Sequence, residues 1–142
     1  MKVKSIAVII SLSLMLILTA CSSDYTRTIE KNWGVSLPKA NEELYSVDSG
    51  PSIFGDGQRY HILGYEEIKL NEFAEFSSGK NTLLEDEVEK ILNSLEASKD
   101  KTPDFSSKYY WYKKSEGTRP RNKLYLVYLS EGNLLHVIEL LH

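Results

Sequence analysis

The sequence predicts an α+β fold, with an antiparallel sheet of about five strands and two to three helices packed on one face as a two-layer sandwich. Three observations predict this fold. The last third of the chain alternates β-favouring side chains with a period of two, a strongly amphipathic helix precedes that region, and a glycine-rich loop separates two earlier strand-like segments. With 142 residues, the chain is long enough for one hydrophobic core and too short for a two-lobed receptor.

The first predicted elements are a short helix and a hairpin. Residues 24–33 form the helix, because Asp24 can cap it, aromatic or aliphatic side chains recur at every fourth position, and Gly34 can end it. Residues 44–48 and 59–65 have strand-like alternation, and the loop between them is typical of a hairpin connection. This loop lacks the Lys-Ser/Thr ending of a phosphate-binding loop, so we interpret its glycines as turn residues.

The middle of the chain contributes one ambiguous segment and one clear helix. Residues 66–76 fit a helical face and also a strand, and we predict a helix. Residues 82–95 form the clear helix, in which Thr82 and Glu85 have the spacing of a capping box. Its apolar stripe, which we expect to pack across the sheet, consists of Leu84, Val88, Ile91, Leu92 and Leu95.

Three strands complete the predicted sheet as an antiparallel meander. They cover residues 108–113, 123–129 and 134–141, with a tight turn before the last one. Both faces of the last strand are largely apolar. Either this strand is central and covered on both sides, or one face meets another chain, which would make the protein an oligomer through its last strand.

The N-terminus has the pattern of an export signal. Lys2 and Lys4 precede an apolar stretch at residues 6–18, which as a helix would rise roughly 20 Å, short of the ~30 Å core of a bilayer. The sequence Leu18-Thr19-Ala20-Cys21 follows, and Cys21 is the only cysteine in the chain. This order of segments resembles the lipobox of bacterial lipoproteins.

The resemblance implies a lipid anchor and a compartment. In that family the cysteine sulfur carries diacylglycerol and the chain is cut before the cysteine, so residues 1–20 would be a cleaved signal peptide and residues 21–142 a single globular domain. Fatty acyl chains on Cys21 would hold this domain on the extracytoplasmic face of the cell membrane. The residues leave open whether the envelope is Gram-positive or Gram-negative.

Charge and motifs exclude several classes of activity. The net charge is −3, and the mature chain keeps 15 basic and 20 acidic side chains, which disfavours a nucleic-acid binder. His61 and His136 lie on predicted strands and His142 is the last residue, without the spacing of a metal site. We therefore predict no metal, no cofactor and no catalytic residue, with an envelope hydrolase acting on wall or lipid material as the alternative.

The most uneven part of the sequence is a basic, aromatic segment at residues 108–123. It holds six basic side chains against Glu116 alone, whereas residues 66–100 hold ten acids against four lysines. The candidate contact surface for an anionic envelope partner or a protein consists of Tyr110, Tyr112, Lys113, Lys114, Arg119 and Arg121. The sequence thus predicts a small lipid-anchored binding or interaction module rather than an enzyme.

Overall fold

The computed structural model describes residues 24–53, 56–73, 75–118 and 121–142. Within them lie two α-helices, α1 (Tyr25–Trp33) and α2 (Thr82–Ser94), and short 3₁₀ helices at Leu70–Glu72 and Lys99–Lys101. The strands are β1 (Glu42–Asp48), β2 (Gly57–Gly64), β3 (Ser77–Ser78), β4 (Tyr109–Glu116), β5 (Asn122–Leu129) and β6 (Leu134–Leu141). The predicted signal peptide and Cys21 lie outside the described residues.

The strands form one antiparallel sheet in the order β1-β2-β6-β5-β4-β3. The α+β class, the early hairpin and the meander of the last three strands are confirmed. The sheet has six strands rather than the expected five, because Ser77 and Ser78 add a two-residue strand beside β4. These two side chains are exposed, so no burial pattern marked them in the sequence.

The two helices contribute to different hydrophobic clusters, which contain alternate residues of the same strands. The first cluster joins the apolar stripe of α2 to Tyr60, Tyr125 and Ile138. The second joins Ile29 and Trp33 of α1 to the strand residues in between, with Leu63, Leu124 and Val137 among them. Since successive side chains of a strand point to opposite faces, each face of the sheet has its own cover. The arrangement differs from the expected two-layer sandwich with all helices on one face.

The face of the sheet that carries the cluster with Ile29 and Trp33 is called the second face below, and it is covered mostly by irregular chain. Of the described residues in the range 66–76, which we predicted as a helix, only Leu70–Glu72 form a helical turn. Phe73, buried in this segment, packs against the rings of Tyr65 and Tyr128. The aromatic spacing that suggested a helical face therefore reflects contacts between an irregular segment and the sheet, and the helix prediction was wrong.

Both helices begin at capping side chains. Asp24 accepts a hydrogen bond from the Thr26 backbone N–H at 3.3 Å, and Gly34 ends α1 with a φ of 62°. The predicted capping box of α2 is wrong by one residue. Asn81 is the cap, since its side chain accepts a hydrogen bond from the Leu84 backbone N–H at 3.1 Å.

The central position of β6 explains its two apolar faces. β6 lies between β2 and β5 and pairs with both along its length. Five consecutive residues, from Leu135 to Glu139, are buried. The first of the two alternatives above, a central strand covered on both sides, is the one that the fold shows.

Candidate functional site

The aromatic pair of the predicted contact surface lies against the second face of the sheet. Tyr110 and Tyr112 are half-buried and pack against the cluster that contains α1. The ring centroid of Tyr112 lies 6.1 Å from that of Phe76, and the ring centroid of Tyr110 lies 6.4 Å from that of Tyr128. These two tyrosines therefore serve partly as cover for the sheet.

Lys113 points to the other face and belongs to an ion-pair cluster with helix α2. Its Nζ donates to Glu87 at 2.6 Å, and Lys123 approaches the same carboxylate at 3.5 Å. The Tyr125 hydroxyl donates to Glu87 at 3.1 Å. Partial burial opposes ionisation of Glu87, but the hydrogen bond and charge of Lys113, with help from Tyr125 and Lys123, hold its pKa below the ordinary value.

The remaining basic residues of the predicted surface are divided between structural and exposed positions. The Lys114 Nζ donates to the Trp33 carbonyl at 2.5 Å, at the end of α1, and pairs with Glu116 at 2.6 Å. Arg121 is exposed, and Arg119 lies outside the described residues. The structure therefore does not bring the predicted residues together on one surface, because Lys113 and Lys114 point to opposite faces of β4.

His136 is buried in the centre of the sheet. The Tyr60 hydroxyl lies 2.7 Å from its Nδ1 and donates its own proton to the Lys101 carbonyl. The hydroxyl oxygen must therefore accept a hydrogen bond from a protonated Nδ1 of His136. The opposite ring nitrogen, Nε2, is buried and has no hydrogen-bond partner among the residues that the structure describes. Burial lowers the pKa of His136 to about 4, which keeps the ring neutral at physiological pH.

His61 lies on the second face, near the start of α1. Its Nδ1 lies 3.0 Å from a Glu43 carboxylate oxygen, and its ring stacks on Tyr25 with 3.5 Å between centroids. Ser46 is the direct cross-strand neighbour of His61, and paired residues of an antiparallel ladder project to the same face. The structure therefore places a serine beside a carboxylate-paired histidine on the second face.

Helix α1 is held on the sheet through a buried carboxylate. Glu139, which is fully buried on β6, accepts a hydrogen bond from the Trp33 indole N–H at 2.7 Å and another from the Tyr25 hydroxyl. Burial, followed by the charge of Glu139, raises the pKa of Tyr25 and keeps its hydroxyl protonated as a donor. Both donors come from α1, so this helix satisfies a charge at the centre of the sheet.

A cavity of about 370 Å³ opens where α1 and β1 begin. Its lining includes side chains of both signs, with Arg27 and Lys39 as the cations and Asp24, Glu42 and Glu43 as the carboxylates. Arg27 contacts Asp24 at 3.9 Å with its side chain 83% exposed, whereas Lys39 and Glu42 form no ion pair within the described part of the chain. This cavity therefore presents charges of both signs to solvent.

Comparison with protein-family models, curated proteins and solved structures gave no match.

The described residues set limits on other sites. None of their helices is long and apolar enough to cross a bilayer. In the same ranges, no three side chains of the His, Cys, Asp and Glu types lie close enough to hold a metal ion.

Sequence reasoning missed two features of this region. Glu139 stood out as the one acid within the apolar strand 134–141, which is the signal that marks a buried, satisfied carboxylate. The charged cavity had a weaker signal, since its residues lie within 22 positions of Cys21 but alternate in sign and resemble an ordinary solvated surface. Only the fold brings residues 24–27 beside residues 39–43.

Proposed function

We propose that this protein is a lipid-anchored module on the extracytoplasmic face of the cell membrane, where it binds a partner rather than catalysing a reaction. The observation that carries the proposal is the sequence Leu18-Thr19-Ala20-Cys21, with the only cysteine at its end. Helix α1 begins at Tyr25 and is anchored to Glu139. The domain would therefore sit on the membrane with two residues, Ser22 and Ser23, between Cys21 and Asp24.

The use of the buried polar groups supports binding over catalysis. Glu139 and His136 hold structural elements together, and Glu85 accepts a 2.5 Å hydrogen bond from the Tyr109 hydroxyl between α2 and β4. A catalytic carboxylate or histidine needs access to substrate. A partner would instead meet exposed groups, of which Arg121 and the charged cavity are the examples described above.

Lipid attachment is tested by expressing the full chain in a bacterial host with an alkyne fatty acid. We expect the wild type to incorporate the label, to lose residues 1–20 and to partition into detergent. Cys21→Ser should lose all three properties, while Ser22→Ala, which leaves the cysteine in place, should keep them. Equal labelling and membrane retention of Cys21→Ser would contradict the proposal.

Binding through the basic, aromatic segment at residues 108–123 needs variants that leave the fold intact. Replacing Lys113 or Lys114 also breaks the contacts to Glu87 and to α1, so a lost partner would have two explanations. The double change Arg119→Ser and Arg121→Ser avoids those contacts. Pull-down from membranes with the acylated protein should lose partners in this variant, and an unchanged partner list would remove Arg119 and Arg121 from the proposed contact surface.

An envelope hydrolase is the second candidate function, favoured by one observation. The Glu43 carboxylate on Nδ1 of His61 leaves Nε2 as the nitrogen that can activate a nucleophile, and Ser46 is the neighbouring hydroxyl. A fluorophosphonate probe tests this directly. Labelling of the wild type that disappears in both Ser46→Ala and His61→Ala would favour the hydrolase, whereas an unlabelled wild type would leave the binding module as the proposal.

A further inference from the structure

The charged cavity lies close to the proposed lipid attachment point. Asp24 lines the cavity, and Cys21 precedes it by three residues. A chain spans at most about 3.6 Å per residue, so the two Cα atoms can be separated by no more than roughly 11 Å. If Cys21 carries acyl chains that are embedded in the bilayer, the cavity must lie beside the headgroup layer.

The charges of the cavity are available to a ligand. Among the described residues, Lys39 and Glu42 are exposed and form no ion pair, and the ion pair of Arg27 is with Asp24, at 3.9 Å. Glu43 differs from these residues, because it is engaged by His61. The cavity thus offers two cations and at least one free carboxylate at the same place.

From these observations, and resting on the proposed lipid anchor, we infer that the cavity binds the headgroup of a zwitterionic ethanolamine phospholipid. The phosphate would lie against Arg27 and Lys39, since a guanidinium and an ammonium both donate to phosphate oxygens. The primary ammonium would donate to Glu42. The site would therefore match both charges of the headgroup.

Other headgroups fit the cavity less well. A purely anionic lipid would satisfy the cations but would face three carboxylates, Asp24, Glu42 and Glu43. A choline headgroup has the phosphate, but its quaternary nitrogen carries no N–H to donate to a carboxylate. The discrimination between ethanolamine and choline should thus depend on Glu42, while the phosphate contact depends on Arg27 and Lys39.

The tether makes a weak site sufficient. Exposed charge pairs are individually weak and screened by salt, so a free headgroup in dilute solution would occupy the cavity poorly. Attachment through Cys21 turns the second contact into an intramolecular event, at an effective concentration that short linkers raise to the millimolar range. The headgroup contact would fix how the domain is oriented on the membrane, whereas the acyl chains supply the attachment itself.

The test uses the acylated protein reconstituted in two kinds of vesicle with the same fraction of anionic lipid, one containing ethanolamine and the other choline phospholipid. The rate at which an arginine-specific dicarbonyl reagent modifies Arg27 is measured by mass spectrometry. We expect this rate to be roughly threefold lower in ethanolamine vesicles, because an exposed charge contact changes an equilibrium by a factor of about that size. Arg121, exposed on the β4–β5 loop, should react equally in both and serves as the internal control.

Variants separate the two halves of the site. Glu42→Gln should abolish the difference between the two vesicles, and Lys39→Gln should weaken protection of Arg27. Glu96→Gln, which removes an exposed carboxylate two residues beyond the end of α2, should leave the difference unchanged. Equal Arg27 rates in both vesicles, or a difference that survives Glu42→Gln, would overturn the inference.

The source of the phosphate and the anchor itself are checked in the same samples. Protection of Arg27 by added inorganic phosphate in choline vesicles would assign the cavity to a soluble anion and overturn the lipid inference. If the purified chain carries no acyl mass on Cys21, the proposed lipid anchor fails. If the chain is acylated and retained on vesicles but Arg27 is not protected, only the headgroup inference fails.

Discussion

Glu139 shows how a single residue fixes the position of the first helix. A fully buried carboxylate is costly unless hydrogen-bond donors or opposite charges surround it. Glu139 obtains its two hydrogen bonds from Trp33 and Tyr25, which lie at opposite ends of α1. The helix is therefore held at both ends by the same side chain. Loss of the helix contacts would leave the buried Glu139 carboxylate without these two donors.

Trp33→Phe should destabilise the protein through that carboxylate. The change removes the indole N–H and leaves Glu139 with one donor fewer, for which we expect a loss of about 1–3 kcal/mol in the free energy of unfolding. Trp111→Phe is the matched control, because the Trp111 indole bonds to the Gly79 carbonyl at 3.2 Å in an exposed contact. Urea denaturation followed by far-ultraviolet circular dichroism measures both, and equal losses would argue against the role of Glu139.

His136 makes a second prediction at the residue scale, on the pH dependence of stability. The pKa of His136 is lowered from 6.5 to about 4 by burial, so below pH 6.5 the unfolded chain binds a proton that the folded protein resists. Stability should be unaffected by this group above pH 6.5, should fall as the pH drops toward 4, and should change no further below that. The total loss is about 3 kcal/mol.

The His136 contribution is isolated by comparison with a variant. His136→Leu cannot take up the proton, and the Tyr60 hydroxyl keeps its bond to the Lys101 carbonyl. Between pH 6.5 and 4, the free energy of unfolding of this variant should therefore fall about 3 kcal/mol less than that of the wild type. His142→Asn, at the exposed C-terminus, should follow the wild type. Parallel curves of stability against pH for wild type and His136→Leu would mean that His136 takes up its proton at the same pH in the folded and the unfolded protein.

At the scale of elements, the start of α2 separates two interpretations of one sequence. The spacing of Thr82 and Glu85 suggested a capping box, but the structure uses Asn81 as the cap. Asn81→Ala should therefore cost about 1 kcal/mol, the usual value of a cap, whereas Thr82→Ala should stay within about 0.5 kcal/mol. Thermal or urea unfolding compares the two, and a larger loss for Thr82→Ala would restore the capping box.

Elements with a strong period were predictable from the sequence, and those held only by tertiary contacts were not. The apolar stripe of α2 and the alternation of β4, β5 and β6 are local patterns, and all four elements formed, with β4 continuing to Glu116, three residues past its predicted end. Residues 66–76 carried apolar side chains at helical spacing, yet Phe73 and Phe76 pack on the sheet without a helix. The competing contact is with Tyr128 and Tyr112, residues distant in sequence, which no local pattern shows.

The same limit applied to the candidate contact surface. The sequence placed Tyr110 and Tyr112 on one side of a strand and Tyr109 and Trp111 on the other, as the structure does. It did not reveal that Glu87, on a helix 26 residues earlier, would pair with Lys113. A run of basic residues thus resembled a free surface, because the acid that neutralises part of it lies on another element.

At the scale of the whole molecule, the proposed attachment point lies close in sequence to the first element of the fold. Cys21, the proposed lipid site, is followed almost at once by α1, whose two ends are bonded to Glu139 at the centre of the sheet. With so short a connection, a lipid anchor on Cys21 would leave the domain little freedom to move away from the membrane. Such an anchor would distinguish the protein from modules displayed on long flexible linkers, whose reach grows with linker length.

A longer connection should release the domain from the membrane surface. Inserting about ten Gly/Ser residues between Ser23 and Asp24 adds a mean span of roughly 17 Å. The measurement is energy transfer from tryptophan to a dansyl-labelled lipid headgroup, in a Trp111→Phe background where Trp33 is the only tryptophan. We expect the transfer to fall roughly twofold or more when the added span lets the domain move away from the bilayer. The same insertion after His142 should leave the transfer unchanged, because it lies outside the connection to Cys21. Unchanged transfer after the first insertion would show that surface contacts of the domain, rather than the short connection, hold it against the bilayer.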